Sequence, residues 1–424
     1  MAQTATLMSE ILRSSPVDLV PYESLYKHFH ANPELSLQEQ RTSQKIADHL
    51  ASFNAYEIHT GIGGFGLAGV LRNGPGKTVL LRADMDALPV KEETGLPYSS
   101  TATATDADGV SRPVMHACGH DMHITALLAA AEQLVRVRDK WSGTLVVLFQ
   151  PNEERGAGAQ AMVDDCLYDK IPVPDIFLGQ HVMRLRAGTI NCRTGTIMAA
   201  ADSMKITVFG RGGHGSLPHT TVDPVLLAAH IVVRLQGVVS RELDPDDVGV
   251  LTVGSLQAGQ TENVISDKAE IGIDFRSVSL ETREKIVGAV KRIVTAECMA
   301  SGSPRDPIFT PTRRFPPTVN EGALASKLAG SFSAHFGADF DPDTPRTMVA
   351  EDFSILATAC SRPSCFWFLG GIDQDIWDAL VKDGKEGEIP GNHSARFAPV
   401  IQPTLKAGAE ALAVGALTFL CRED

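Results

Sequence analysis

Short apolar runs alternate with longer helical segments in the first 200 residues of the chain. The runs at 78–84, 143–150 and 175–181 are rich in Val, Leu, Ile and Phe, which is typical of buried strands. Segment 123–140 consists mostly of strong helix formers and ends on basic residues, which predicts a long helix before the second strand. The alternation predicts an α/β domain with a mainly parallel sheet.

The pattern changes at about Ala200. From there the hydrophobic periodicity predicts a strand, a helix at 223–238, two further strands and another helix. The proline-rich segment 303–317 is interpreted as a linker that returns to the first domain.

The C-terminal part resumes the earlier pattern, with a predicted buried strand at 364–371 and a closing helix near 402–420. We therefore expect two domains. Residues 1–199 and 315–424 form a larger α/β domain, and residues 200–314 form a smaller α+β domain inserted into it.

The composition excludes several classes of function. It is ordinary for a folded globular protein, with 43% hydrophobic and 21% charged residues. The net charge of −13 argues against a nucleic-acid partner. No apolar run approaches the ~18 residues that a membrane span needs, and the chain shows no secretory signal. Seven cysteines, an odd number, do not suggest a disulfide framework. We expect a cytoplasmic protein without a membrane partner.

Residue types that bind metals are concentrated in one short segment. His116, Cys118, His120, Asp121 and His123 lie within eight residues of one another, and all five are potential ligands. The alternative is a solvated loop followed by a helix that Asp121 caps.

Further polar residues follow the predicted strands. Asp84 and Asp86 come at the end of the first strand, Glu153 and Glu154 follow the second, and His181 ends the third. Ligands of open α/β sheets bind beyond the carboxyl ends of the strands, so these side chains should converge there with the His/Cys segment. Because adjacent glutamates point in different directions, one can bind a metal while the other acts on water, as metal-assisted hydrolysis requires. The alternative is a solvated acidic pair.

Eight segments, in order from about residue 25 to residue 400, carry the pattern of one known family. They are KHFHANPELSLQEQRTS (27–43), LRADMDALPVKEETGLPYSS (81–100), MHACGHDMHITALL (115–128), FQPNEERGAGAQAMV (149–163), GRGGHGSLPH (210–219), TVGSLQAGQTENVISDKAEI (252–271), AEDFSILA (350–357) and GNHSARF (391–397). The chain resembles the metal-dependent amidohydrolases that include hippurate hydrolase, indole-acetyl amino acid hydrolases and N-acyl-amino-acid deacylases. Aminoacylases and glutamate carboxypeptidases are more distant relatives.

The resemblance implies a catalytic domain with two divalent metal ions. Zinc or manganese is expected, and cobalt or nickel also suits mixed N, O and S donors. Glu153 would be the general base, and Asp86 would orient a ligand histidine from outside the ligand shell. Asp84 falls where distant branches carry a ligand histidine. The implied metal ligands are Cys118, His120, Glu154, His181 and His393.

The resemblance also implies that the inserted domain is a lid through which two chains form a homodimer. His214, Asn263 and Arg276 match lid positions that contact substrate in relatives. His214 would polarise the scissile carbonyl of a substrate bound to the partner subunit. Arg276 would hold the substrate carboxylate, a task suited to a bidentate guanidinium.

The chain departs from the family pattern at several positions. Arg184 and Arg186 replace two prolines shortly after the histidine of the third strand. They are either solvated or bring positive charge to the mouth of the site, which would favour an acidic substrate. Asn152 and Asn392 replace a common alanine and leucine, and Asp274 replaces a threonine.

These assignments predict an enzyme that hydrolyses the amide bond of an N-acyl amino acid, or of a related small-molecule amide, to a carboxylate and a free amine. Two alternatives remain. One is a dipeptidase or carboxypeptidase with the same dinuclear site, and the other is a metal-binding interaction protein without turnover.

Overall fold

The computed structural model of the protein describes residues 2–106 and 109–421, without the side chains of residues 2–6. The chain divides into two compact units. The larger unit comprises Met1–Ile197, Val319–Pro345 and Asp352–Asp424, and the smaller unit comprises Met198–Thr318 and Arg346–Glu351. The larger unit therefore combines segments from before and after the smaller one.

The elements are numbered in chain order. The α-helices are α1 (Ala2–Ser14), α2 (Val20–Ala31), α3 (Gln40–Ser52), α4 (His120–Arg136), α5 (Gly158–Asp164), α6 (Leu167–Lys170), α7 (Pro224–Leu235), α8 (Gly237–Glu242), α9 (Leu280–Ala300), α10 (Gly322–Phe336), α11 (Ser354–Ala359), α12 (Gln374–Lys382) and α13 (Thr404–Leu420). The strands are β1 (Glu57–Ile62), β2 (Gly66–Asn73), β3 (Thr78–Asp84), β4 (Thr103–Thr105), β5 (Ser111–Pro113), β6 (Gly143–Gln150), β7 (Ile176–Arg186), β8 (Ile190–Asn191), β9 (Gly195–Met198), β10 (Ala200–Phe209), β11 (Gly213–His214), β12 (Gly249–Ala258), β13 (Val264–Ile265), β14 (Lys268–Ser277), β15 (Ile308–Phe315), β16 (Thr318–Asn320), β17 (Phe340–Asp341) and β18 (Ser364–Ile372).

An eight-stranded sheet with the order β1-β2-β6-β3-β7-β18-β8-β17 forms the centre of the larger unit. Strands β6, β3, β7 and β18 are parallel to one another, whereas β1, β2 and β6 are antiparallel at one edge. The four buried strands predicted from the sequence correspond to β3, β6, the first part of β7, and β18. The predicted α/β class with a mainly parallel sheet is confirmed.

Helices α4 and α13 pack against this sheet and against each other. Nearly all their side chains are buried, and apolar residues predominate in α13 and in the middle of α4, as expected for helices inside a large domain. Their packing fixes the direction in which the start of α4 meets the sheet. No helix among the described residues is long and apolar enough to cross a membrane.

Helix α4 begins at His120, earlier than the predicted start at residue 123. Its N-cap residue is Gly119 with a left-handed φ of 82°, so Asp121 lies in the first turn and is not the cap that the sequence suggested. The Asp121 carboxylate accepts hydrogen bonds from the Met122 backbone N–H (2.9 Å) and from His30 Nδ1 (2.7 Å). This pairing with a distant buried histidine lets the helix start on polar residues, and apolar periodicity gives no sign of it.

The smaller unit contains an antiparallel sheet with the order β12-β14-β10-β15. Helices α7 and α9 pack against it. Alternate residues of β14, from Ala269 to Phe275, are buried with apolar residues of both helices, which is the pattern of a sheet covered on one face. Strand β12 lies at one edge of this sheet, and β11 pairs with β13 beside it.

The proline-rich segment 303–317 is not simply the linker that the sequence suggested. Most of it forms β15, which pairs antiparallel with β10. The register shifts between Ser203 and Met204, and Met204 faces Pro311. Because β15 is an edge strand, a residue without an N–H can be accommodated there. Prolines therefore did not exclude a strand in this position.

Candidate metal centre

Several polar side chains meet at the carboxyl ends of the parallel strands of the larger unit. Strand β3 ends at Asp84, the turn after β6 carries Glu153 and Glu154, and β7 carries His181. Helix α4 starts at His120 beside this edge, and Cys118 precedes it. All these side chains are buried or nearly so, so they are held away from solvent in fixed positions.

The five predicted ligands lie together. Cys118 Sγ is 3.5 Å from His181 Nε2 and 3.2 Å from His393 Nε2. Glu154 Oε1 is 3.8 Å from His120 Nε2, and Glu154 Oε2 is 3.4 Å from His393 Nε2. Donor atoms of Cys118, His120 and Glu154 all lie within 4.8 Å of one another. The structure therefore brings together predicted ligands from four separate parts of the chain, the last of them in its C-terminal part.

The donor atoms of this cluster suit a cation. Both ring nitrogens of His120 and Glu154 Oε1 are buried and have no hydrogen-bond partner among the described residues. Buried polar atoms in folded proteins are otherwise nearly always paired. Thiol, imidazole and carboxylate are the ligands that zinc and other transition metals bind. The residues present thus fit the divalent metal that the sequence predicts.

The electrostatics of the cluster lead to the same conclusion. Burial raises the pKa of the Cys118 thiol well above its usual value, and the carboxylates of Glu154, Glu153 and Asp84 raise it further. Burial lowers the pKa of His120, but the nearby carboxylates, led by Asp84, outweigh burial and raise that pKa to about 10. The raised pKa of His120, against the effect of burial, reports a negative local potential, which stabilises positive charge. A divalent cation at this position would offset it and favour the thiolate.

Asp86 holds the two glutamates and one histidine in place. Its carboxylate oxygens accept hydrogen bonds from the backbone N–H groups of Glu153 and Glu154, both at 3.1 Å. Ser36 Oγ donates to Asp86 at 2.7 Å, and His120 Nδ1 lies 3.4 Å from Asp86 Oδ1. Asp86 therefore lies where it can orient a histidine, and it also fixes the turn that carries both glutamates, which sequence reasoning did not foresee.

Asp84 is linked to His123, which the sequence offered as a potential metal ligand and the family resemblance left without a role. His123 Nδ1 lies 2.5 Å from Asp84 Oδ1, and the backbone N–H of Val182 donates to His123 Nε2 at 2.7 Å. Nδ1 therefore carries the imidazole proton and donates it to Asp84. His123 follows His120 by three residues on one helix, so helical spacing was a signal that could have identified it.

A buried arginine connects Asp84 to a second carboxylate. Arg82 has no exposed side-chain surface and donates to Asp84 Oδ2 at 2.7 Å and to Gln150 Oε1 at 2.9 Å. Arg82 Nη2 also lies 3.4 Å from Asp352 Oδ1. The Asp352 carboxylate in turn comes within 4.8 Å of the Glu153 carboxylate. A charged residue inside a strand of apolar neighbours was the only sequence signal for this network.

Backbone conformation explains two residues around the cluster, and a hydrogen bond explains a third. A side chain at Gly119 would place its Cβ 2.4 Å from Val182 Cγ1, so only glycine fits before His120. Asn152 has a left-handed φ of 57°, a conformation that asparagine tolerates better than alanine. Asn392 Nδ2 donates to the backbone oxygen of Val182 at 3.0 Å, which ties the loop of His393 to β7. The two departures from the family pattern, Asn152 and Asn392, thus have structural roles.

The predicted substrate-contacting residues of the smaller unit fall into two groups. His214 and Asn263 are adjacent because β11 pairs with β13, and the Gly215 N–H donates to the Asn263 backbone oxygen at 2.8 Å. Arg276 lies near the other end of β14, where its Nε donates to Asp274 Oδ1 at 3.0 Å. At about 3.3 Å per residue, β14 separates Arg276 from the β11–β13 pair by roughly 25 Å.

The chain is similar to known proteins along most of its length. The profile of peptidase family M20/M25/M40 matches residues 80–379. Thermostable carboxypeptidase 2 of Saccharolobus solfataricus is 34% identical over 398 residues, which cover 93% of this chain and 94% of the relative. Hippurate hydrolase of Campylobacter jejuni is 35% identical over 362 residues, or 84% of this chain and 89% of the relative. The YXEP protein of Bacillus subtilis, a dinuclear metal-binding peptidase, has a similar fold with a TM-score of 0.73, 24% identity and coverage of 94% and 98%.

The larger unit has N, O and S donors clustered at the carboxyl edge of a parallel sheet. Together with these relatives, this arrangement defines a metal-dependent hydrolase of amide bonds. The chain belongs to peptidase family M20/M25/M40. The family resemblance and the enzyme class predicted from the sequence are confirmed.

Proposed function

We propose that this enzyme hydrolyses N-acyl amino acids to a carboxylate and a free amino acid. The observation that carries the proposal is the arrangement of the adjacent glutamates, whose backbones are both fixed by Asp86. Glu154 belongs to the donor cluster of Cys118 and His120, whereas Glu153 is buried beside it. Hippurate hydrolase, a similar protein over most of both chains, gives the substrate class.

We assign two divalent ions to the site, with zinc or manganese as the metal. Cys118, His120, Glu154, His181 and His393 would hold these ions. The sulfur of Cys118 lies close to donor atoms of the other four residues. When bound, the metals polarise the scissile carbonyl and make water a better nucleophile.

The protein side chains supply the proton transfers and the orientation. Glu153 accepts a proton from the attacking water and passes it to the leaving nitrogen. His214 Nδ1 accepts a hydrogen bond from the Ser216 N–H at 3.1 Å, so Nε2 carries the ring proton and can donate to the carbonyl oxygen. Arg276 binds the carboxylate of the substrate, and Asn263 assists His214 from the neighbouring loop.

We further propose a homodimer in which His214 acts on the site of the partner subunit. An N-acyl amino acid spans only about 7 Å along its backbone, so His214 and Arg276 of one chain are too far apart to hold the same molecule. The smaller unit also has an edge strand, β12, and an exposed unpaired edge is normally covered. Exposed apolar side chains suited to an isologous interface are Val225, Leu226, Val233, Val250 and Leu256.

The cysteines, all of which are free, support a reducing compartment such as the cytoplasm.

The first test of this function is a substrate panel. Metal is removed by chelation, and zinc, manganese, cobalt and nickel are restored separately. N-acetyl, N-benzoyl and indole-acetyl amino acids should then be hydrolysed with one or more of these metals, and the stripped enzyme should be inactive. Dipeptides and C-terminally extended peptides form the second arm. Preference for peptides over every N-acyl amino acid would instead indicate a carboxypeptidase, like the Saccharolobus relative.

Subunit complementation tests the dimer. Glu153→Gln and His214→Ala are each expected to be inactive as homodimers. A heterodimer of the two has one site with both residues intact, so up to about half of the wild-type rate should return after subunit exchange. Exchange is verified with differently tagged chains. Absence of recovery in verified heterodimers would mean that His214 acts within its own chain or not at all.

A further inference from the structure

We propose that Arg184 recognises a second carboxylate on the substrate, in addition to the one assigned to Arg276. This inference rests on the proposed function and narrows its substrate class to N-acyl amino acids with an extra acidic group. That group belongs either to the amino-acid side chain or to the acyl part. The shared chemistry is a carboxylate at a distance from the scissile amide.

The position of Arg184 beside the loop of His393 carries the proposal. Arg184 lies on β7, three residues after His181, and its side chain is exposed. A Cβ built on Gly391 would lie 3.4 Å from Arg184 Cδ, so the arginine stem packs on this loop two residues before His393. Asn392 ties the same loop to the Val182 carbonyl of β7. The side chain of Arg184 therefore stands at the rim of the proposed metal centre.

Arg184 is also free of an internal counter-ion. In residues 2–106 and 109–421 it takes part in no ion pair, although the chain carries 51 acidic residues against 38 basic ones. Its neighbour Arg186 is different, because Arg186 Nε and Nη2 contact the two carboxylate oxygens of Asp378 at 2.8 and 3.1 Å. Nothing in the sequence distinguished the two arginines. In the structure Arg186 is paired with Asp378, and Arg184 remains available for a ligand.

Two other arginines flank the proposed ligands in the same way. Arg155 directly follows Glu154, and Arg396 lies three residues after His393. Both are exposed and neither forms an ion pair within the described part of the chain. They place further positive charge next to proposed ligands along the chain, and such charge steers anionic substrates toward a site.

Matched substrates test the inference. The kcat/KM of N-acetyl-glutamate is compared with the kcat/KM of its uncharged isostere N-acetyl-glutamine. In the same way, N-succinyl-alanine is compared with the derivative in which the free carboxylate of the succinyl group is an amide. The first pair places the extra carboxylate on the amino acid and the second places it on the acyl group. Wild type should prefer the acidic member of one pair by about tenfold, and this preference should fall with ionic strength.

Arg184→Gln should bring the ratio of kcat/KM between the acidic substrate and its uncharged partner close to one, mainly through a higher KM for the acidic substrate. Arg186→Gln is the matched control, since it removes one charge on the same strand from a residue already paired with Asp378, and it should leave the ratio unchanged. Equal loss in both variants would indicate a general charge effect and would overturn the assignment to Arg184.

A binding measurement separates this inference from the proposed function. The dissociation constants of the same four compounds are measured by calorimetry with metal-loaded Glu153→Gln, and with the Arg184→Gln derivative of that variant. If wild type hydrolyses no N-acyl amino acid, the proposed function fails. The ratio of dissociation constants between the uncharged and the acidic compound still decides the role of Arg184. The inference is refuted if Glu153→Gln binds the acidic and uncharged compounds with equal dissociation constants. It is also refuted if the added Arg184→Gln substitution leaves the ratio of these constants unchanged.

Discussion

Replacement of Glu153 by glutamine is expected to lower kcat by at least about 1,000-fold, within the range that general acid–base groups contribute. The amide keeps the shape of the side chain and the backbone hydrogen bond to Asp86, but it cannot accept the proton of the attacking water. Because Glu153 is not assigned to the ligands, the metal content should remain that of wild type. Turnover and metal are measured on the same preparation, by substrate assay and elemental analysis.

Glu154→Gln is the matched control, since it makes the same change one residue later. Glu154 lies within the donor cluster and has a buried oxygen without a hydrogen-bond partner among the described residues. We expect this variant to lose metal as well as activity. Loss of metal from the Glu153 variant, with retention in the Glu154 variant, would show that the base and the ligand are assigned in the wrong order.

Replacement of Cys118 by serine is expected to lower metal affinity by more than about 100-fold and to abolish turnover at limiting metal, since changes outside the ligand shell already cost 10–100-fold. Cys118 Sγ lies near His181 and His393 as well as near His120 and Glu154. A neutral hydroxyl cannot replace the thiolate that we propose among the ligands of both ions, so both ions should be affected. Affinity is measured by competition with a chelating dye.

Two further variants make this result interpretable. Cys192 is equally buried but lies outside the metal centre, near Cys365, and Cys192→Ser should keep both metals. Cys118→Asp restores a negative ligand and should recover metal binding in part. If Cys118→Ser retained both metals and the full rate, Cys118 would be only a small buried residue.

The sequence was sufficient to predict the strands that carry the site. Strands β3 and β6 and the first part of β7 are short apolar runs that lead into polar residues, and buried parallel strands need that composition. The prediction that His181 ends the third strand was wrong, because β7 continues to Arg186. Because the carboxyl ends of parallel strands share one edge, Asp84, Glu154 and His181 could be expected to meet there. His393 could be included only through the family resemblance, since no local pattern connects it to that edge.

What the sequence did not predict depends on contacts between distant residues. Helix α4 starts early because the Asp121 carboxylate bonds to His30, which lies 91 positions away. The link from Arg82 to Asp352 joins residues 270 positions apart. Strand β15 was missed because prolines argue against a strand unless that strand is known to lie at an edge. Such pairings exist only in the folded state, so periodicity and composition cannot reveal them.

The sheet order of the larger unit has a consequence for synthesis on the ribosome. Strand β18 pairs with β7 although Met198–Thr318 lies between them in the chain. The smaller unit can begin to fold as its long continuous segment emerges, whereas β7 lacks its parallel neighbour until much later, and such long-range pairing is slow. His393 emerges later still. A prematurely terminated chain would therefore expose an unpaired strand edge and lack one of the proposed metal ligands, so it would be prone to aggregation before it could become an enzyme.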